Sequence, residues 1–215
     1  MTIAVNMAVG PTIMLQSGEW FDILDPRGST FTIEDIAHGL ANTCRYAGQC
    51  KEFYSVAEHS LHVSATCTTA PFEALMHDAA EAFIGDVTRP LKQLLPEYKA
   101  IEHDIEQAVF ERFSLPPILS PEVKQADLRV LAAEQAQIMA PSTSDWAKTS
   151  NIYPATIRVE FMPPKAAKKA FLKRFAELSA LREAVAPFSR MQGILALEVV
   201  TASYAKRSER EASHE

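Results

Sequence analysis

Cysteine is scarce in this 215-residue chain: Cys44, Cys50 and Cys67 are all it has, and no two of them form a CxxC pair. An odd count without tight spacing argues against a disulfide framework and against a thiolate zinc site. Free thiols in a reducing compartment are expected. Lysine and arginine are absent before Arg27, so a secretory leader would lack its charged start. No run reaches the roughly 18 apolar residues of a membrane span. A basic surplus is missing too. The net charge is −6, and binders of long nucleic acids usually carry the opposite sign. A cytoplasmic protein with neither a nucleic-acid polymer nor a membrane as partner is the expectation. A small anionic ligand stays open, because it needs only a few cations around a pocket. No internal repeat is visible.

Hydrophobic residues make up 47% of the chain and charged residues 22%, which suits one globular domain with a sizeable core. Ile13 and Leu15 alternate before Ser17-Gly18, and Phe21 and Ile23 alternate after it, the period-two pattern of a β-hairpin. Asp25-Pro26-Arg27-Gly28 reads as a turn. Helical spacing begins at Thr32, where Thr32-Ile33-Glu34-Asp35 is a capping signal and Ile33, Ile36, Ala37 and Leu40 share a face. Ser55-Val56-Ala57-Glu58 is a second capping box. Pro71 suits the start of a third helix and Gly85 its stop. Arg89-Pro90 opens a short piece, and Tyr98, Ile101, Ile105, Ala108 and Val109 mark another helix. Ser120-Pro121-Glu122, a capping serine with proline behind it, starts a helix that runs to about Met139. Pro141 to Pro154 reads as a polar loop holding Trp146. After Pro163-Pro164 a long amphipathic helix carries Phe171, Phe175, Leu178 and Leu181. Its Lys165, Lys168, Lys169, Lys173 and Arg174 read as a solvated face. Ile194 to Val200 fits either a helix or a strand, and 206–215 is a charged tail. The organisation expected is a hairpin extension over 1–31, a helical core over 32–187 and a C-terminal extension over 188–215.

The chemistry concentrates in His77-Asp78-Ala79-Ala80-Glu81, preceded by an isolated His59 and followed by an isolated Asp127. On a continuous helix, residues three or four apart share a face, so His77, Asp78 and Glu81 would point into one cavity. His59 would come from the preceding helix and Asp127 from a later one. Two imidazoles and two carboxylates suit Mn, Fe, Co, Ni or Zn better than Mg or Ca alone. Four such ligands leave open positions, and an ion of this kind makes hydroxide available near neutral pH. His62 reads as a core histidine or one that supports the ligands from behind, and His103 as a surface histidine, neither as a ligand.

The ordered pattern H…HD…D, met by His59, His77-Asp78 and Asp127, resembles the HD superfamily of metal-dependent phosphohydrolases. The flanks Val56-Ala57-Glu58-His59-Ser60-Leu61, His77 to Glu81, Gly85-Asp86-Val87-Thr88 and Pro90-Leu91-Lys92 are similar to bacterial 5′-deoxynucleotidases of the YfbR type. Tyr54 to Met139 carries that likeness. The hairpin and the Ile33–Tyr46 region look more like HD hydrolases of phages and prophages, and the chain after Pro141 adds nothing. The resemblance implies an all-α HD-domain helical bundle with a small N-terminal hairpin. It implies His59, His77, Asp78 and Asp127 as ligands of one divalent transition metal (Mn, Co, Zn, Fe or Ni). A second Mg or Mn brought with the substrate stays open.

By the same resemblance Glu81 positions or deprotonates the attacking water, Asp86 acts as general acid, and Arg45 grips a phosphate with help from Lys92. Tyr46 follows Arg45 where those nucleotidases tend to carry tryptophan beside the sugar, which leaves sugar selectivity open. The residues alone also allow Arg45 to pair with Glu58, and Asp86 to cap the next turn. The activity implied is hydrolysis of a deoxyribonucleoside 5′-monophosphate. The alternatives are a deoxynucleoside triphosphate hydrolase and a non-catalytic nucleotide-binding regulator. Homodimers or higher homo-oligomers are common among such nucleotidases.

Overall fold

A computed structural model describes residues 10–185. The chain divides into two compact units after Phe175. It is mainly helical, with a two-stranded antiparallel hairpin near its start. In the hairpin β1 (Thr12–Met14) faces β2 (Trp20–Asp22), with Ile13 opposite Phe21. The turn passes through Gly18, whose φ of 92° favours glycine. Phe21 is fully buried: it stacks on Phe83 with ring centroids 4.0 Å apart, while Phe31 meets both rings edge-on. The hairpin is thereby fastened to the helix that carries Glu81. The turn expected at Asp25–Gly28 is present, closed by Gly28 N–H donating to Asp25.

α1 (Ile33–Asn42) begins in a complete capping box. The Thr32 hydroxyl accepts from Asp35 N–H, and the Asp35 carboxylate accepts from Thr32 N–H. The backbone then makes a tight turn at Arg45–Gly48, in which Tyr46 and Ala47 are left-handed. α2 (Val56–Thr66) starts at Ser55, whose hydroxyl accepts from Glu58 N–H. The expected box is only half made there. The Glu58 carboxylate instead accepts from the backbone of Glu160 and Met162, at 2.7 Å each.

The single helix expected from Pro71 to Gly85 is two helices, α3 (Pro71–Met76) and α4 (Glu81–Ile84). Between them Ala79, Glu81, Ala82 and Phe83 donate three residues back, to Met76, Asp78, Ala79 and Ala80. This is 3₁₀ bonding, in which positions i and i+3 eclipse. Asp78 and Glu81 are therefore aligned, and His77 and Glu81 are not one turn apart on a continuous α-helix. The stop at Gly85 is as expected, with φ at 77°. α1 crosses α4 at Gly39, where a Cβ would lie 2.5 Å from the Ala82 carbonyl oxygen.

α5 (Arg89–Lys92), α6 (Pro96–Arg112) and α7 (Pro121–Ile138) follow. Ser120 stands at the start of α7 but does not cap it, because its hydroxyl donates to Glu122 at 2.6 Å. The polar loop after Pro141 contains a turn of helix, α8 (Trp146–Thr149). From there an irregular strap, residues 152–162, returns across α2 and α7. Ala155 N–H donates to Arg129 and Ala155 is buried with Val63, Val123 and Val130. Gln137 bonds the strap at Ile157 and Val159. α9 begins at residue 164 and brings the fully buried Phe171 to the first unit. Residues 176–185, the described part of the second unit, are also helical. The Ile194–Val200 segment and the charged tail lie outside the described residues. Among the described residues no helix is long and apolar enough to cross a membrane.

Candidate metal centre

His59 lies on the first turn of α2 and is fully buried. His77 and Asp78 occupy the 3₁₀ junction between α3 and α4, and Asp127 sits on the second turn of α7. Ligand atoms of His59, His77 and Asp78 all fall within 4.8 Å of one another. Asp78 Oδ2 is 3.1 Å from His77 Nε2 and 3.5 Å from His59 Nε2. Asp127 Oδ1 is also 3.5 Å from His59 Nε2. Two donors about 2.1 Å from one ion, at angles of 90–110°, stand roughly 3.0–3.4 Å apart. The separations in the cluster are of that size.

The imidazoles are oriented for this task. His77 Nδ1 is 2.9 Å from the Ala74 carbonyl oxygen, which can only accept, so Nδ1 carries the hydrogen. His59 Nδ1 is 2.6 Å from Glu134 Oε1. In both rings Nε2 is buried without a hydrogen-bond partner. A buried polar atom left so costs about 1–3 kcal/mol, and a cation between the rings removes that cost. His59, His77 and Asp78 can hold a metal ion.

Charge is arranged accordingly. Burial opposes ionisation of Asp78, but His77, His59 and Arg45 together hold its carboxyl far below the usual range. Asp127 is likewise held low against its burial, by His59 and His77 and by Lys124, whose Nζ is 2.7 Å from Oδ2. Burial and Arg45 disfavour a charged His59; Glu134 and Asp127 outweigh them and raise it to about 9. The cluster thus favours a cation at His59 Nε2, and an ion there would displace a proton. Glu81 behaves in the opposite way. Burial, then Asp78 and Asp86, push its carboxyl well up.

The expected substrate-side residues border this cluster unevenly. Arg45 is buried; its Nη1 is 3.4 Å from Asp78 Oδ2 and its Nε 3.6 Å from Glu134 Oε2. Its carboxylate partners are these two rather than Glu58. Lys92 Nζ is 3.4 Å from Glu81 Oε1 and 2.5 Å from Glu102. Asp86, half-buried, follows Gly85 and lies near enough to Glu81 and Arg45 to shift both. The Tyr46 hydroxyl donates to Glu134 at 2.7 Å. His62 faces Glu58 at 3.7 Å, and Trp146 donates to Gln135 at 2.6 Å.

A cavity of about 420 Å³ opens beside His77, Asp78 and Asp127. Its far walls come from α6, the loop after it and the start of α7: Phe110 and Ile118 are apolar, and His103, Glu106, Gln107 and Lys124 are polar. His103, with a side chain 66% exposed, is the surface residue expected and also borders this cavity. The residue sequence reasoning missed is Glu134. It is fully buried and joins Tyr46, Tyr54, His59 and Arg45. Its signal was a lone acid in the small-residue run Ala132-Ala133, two turns after Asp127 and hence on the same face of α7.

No family model matches the chain. It is 44% identical to the uncharacterized protein YfdR of Escherichia coli (strain K12), over 70% of its own length and 86% of that protein. It is 33% identical to the uncharacterized protein RCAP_rcc00048 of Rhodobacter capsulatus, over 74% of its own length and 90% of that protein.

Proposed function

The chain belongs to the family of YfdR and RCAP_rcc00048, and from the site itself we propose that it is a metal-dependent phosphohydrolase of the HD type, acting on a deoxyribonucleoside 5′-monophosphate. The observation that carries this reading is the pair of buried imidazoles with both Nε2 atoms unpartnered and converging on Asp78. His59, His77, Asp78 and Asp127 would hold one divalent first-row ion, for which this mixed N/O set is suited. When bound, that ion supplies a Lewis acid and a water acidic enough to ionise near neutral pH.

The remaining roles fall to the chain's own side chains. Arg45 offers a planar guanidinium beside Asp78, where a phosphate would carry its charge. Glu81, buried and aligned with Asp78, takes a proton from the attacking water. Burial and Asp78 push its carboxyl up, and a cation beside Asp78 would lower it again and free it to accept that proton. Asp86 delivers a proton to the departing sugar oxygen. Lys92, between Glu81 and Glu102, holds the α4–α5 corner and adds positive charge near the phosphate. The cavity of about 420 Å³ is in the size range of small-molecule sites, and its mixed apolar and polar walls suit a nucleoside.

The test is a panel of deoxy- and ribonucleotides assayed with Mn, Co, Zn and Mg, run beside Glu81→Ala. Orthophosphate released from a deoxyribonucleoside monophosphate, and lost with Glu81→Ala, supports the proposal. Intact triphosphate released from a dNTP would assign triphosphohydrolase activity in its place. Inactivity of the unsubstituted protein throughout would overturn catalysis and leave a nucleotide-binding regulator.

A further inference from the structure

We infer that Glu134 is a positioning residue that sets both His59 and the Arg45 loop, so that one buried carboxylate governs the cation site and the anion-binding guanidinium together. This rests on the reading of the cluster as a metal centre.

A carboxylate in an apolar interior is costly unless its lone pairs are met. Glu134 is fully buried on α7, and both of its oxygens are engaged. Oε1 accepts from the Tyr54 hydroxyl and faces His59 Nδ1, each at 2.6 Å. Oε2 accepts from the Tyr46 hydroxyl at 2.7 Å and faces Arg45 Nε at 3.6 Å. Here the short contacts go to the imidazole and the two tyrosines, and the guanidinium stands farther away.

Two consequences follow. With Nδ1 donating to Oε1, the lone pair of His59 is directed through Nε2, which faces Asp78 and Asp127. A carboxylate behind an imidazole also makes its other nitrogen a stronger donor to a cation. On the second oxygen, Tyr46 adopts a left-handed backbone with φ at 57°, and Ala47 does the same at 51°. Such conformations are unfavourable in non-glycine residues. The Tyr46–Glu134 bond offsets part of this, aided by the backbone bond from Arg45 N–H to the Tyr54 carbonyl oxygen. The turn that aims Arg45 is therefore tied to the carboxylate that aims His59.

The test compares the full-length chain with Glu134→Gln, which keeps the shape and removes the charge. Chelator-stripped protein is titrated with Mn²⁺, free ion being followed by electron paramagnetic resonance, and thermal midpoints are recorded alongside. The expected result is Mn²⁺ affinity weakened about 10–100-fold in folded Glu134→Gln, the usual range for losing such a partner. An altered midpoint with Mn²⁺ affinity unchanged would mean a purely structural carboxylate and would overturn the inference. Absence of Mn²⁺ binding by the unsubstituted protein would instead overturn the metal reading. A second measurement needs no variant. In ¹⁵N-labelled protein loaded with Zn²⁺, His59 is expected to carry its hydrogen on Nδ1, slowly exchanging with water. An Nδ1 hydrogen that exchanges freely with water is one Glu134 does not hold, and would overturn the inference whether or not Glu134→Gln folds.

Discussion

Glu81 and Asp78 show how neighbouring carboxylates come to differ in charge. Eclipsed on a 3₁₀ turn, they cannot both ionise cheaply in a buried site. Asp78 has two imidazoles and Arg45 beside it and stays ionised. Glu81 has Asp78 and Asp86 beside it, and its Oε2 has no partner. A cation beside Asp78 would lower Glu81 again, which places it among groups able to accept and return a proton. Glu81→Gln is expected to reduce turnover about 10²–10⁴-fold while leaving Mn²⁺ affinity within a few-fold. Steady-state kinetics on the best nucleotide of the panel, beside an Mn²⁺ titration, checks both. A loss of affinity equal to the loss of turnover would make Glu81 a ligand and remove it from proton transfer.

Helix ends were legible because they are local. Thr32 and Asp35 satisfy each other's backbone groups within four residues, and periodicity placed Ile36, Ala37 and Leu40 on the buried face. Asp35 contributes through its ionised form. Burial opposes that form, and hydrogen bonds from Thr32 and Ser17 more than compensate, so its folded pKa lies below the unfolded one. Its contribution is present above the unfolded pKa and is lost as pH falls through the folded value. Asp35→Asn is therefore expected to destabilise the fold by about 1 kcal/mol at neutral pH. The difference from the parent should shrink below about pH 4. Urea unfolding at the two pH values measures it, and a pH-independent difference would remove the charge from the account. The break at 77–80 was not legible. Four residues of 3₁₀ and of α-helix carry the same apolar pattern, and only the packing of α4 against α1 at Gly39 and against Phe21 of the hairpin distinguishes them.

At the scale of the molecule, the site is held from behind. Glu58 takes two backbone N–H groups of the strap at 160 and 162, next to His59, and Gln137 of α7 bonds the same strap. An ion that binds this folded arrangement and not the unfolded chain must stabilise it. Mn²⁺ at 100 times its dissociation constant is expected to add about 2.7 kcal/mol. For a chain of this size that raises the thermal midpoint by roughly 5–10 °C, reversed by chelator. A midpoint indifferent to Mn²⁺ and to chelator would count against the cluster as a metal centre.

The linear chain already determined the hairpin, most of the helix starts and the donor group His59, His77 and Asp78, because capping, periodicity and donor chemistry are properties of residues and of near neighbours. Tertiary structure decided what depends on residues far apart in sequence. It turned one helix into two and drew Glu58 away from its capping role. It also set Glu134 behind His59, across 75 residues of chain. Burial made that last choice. A carboxylate shut away from water must find donors wherever packing brings them, and no local pattern records which donors those will be.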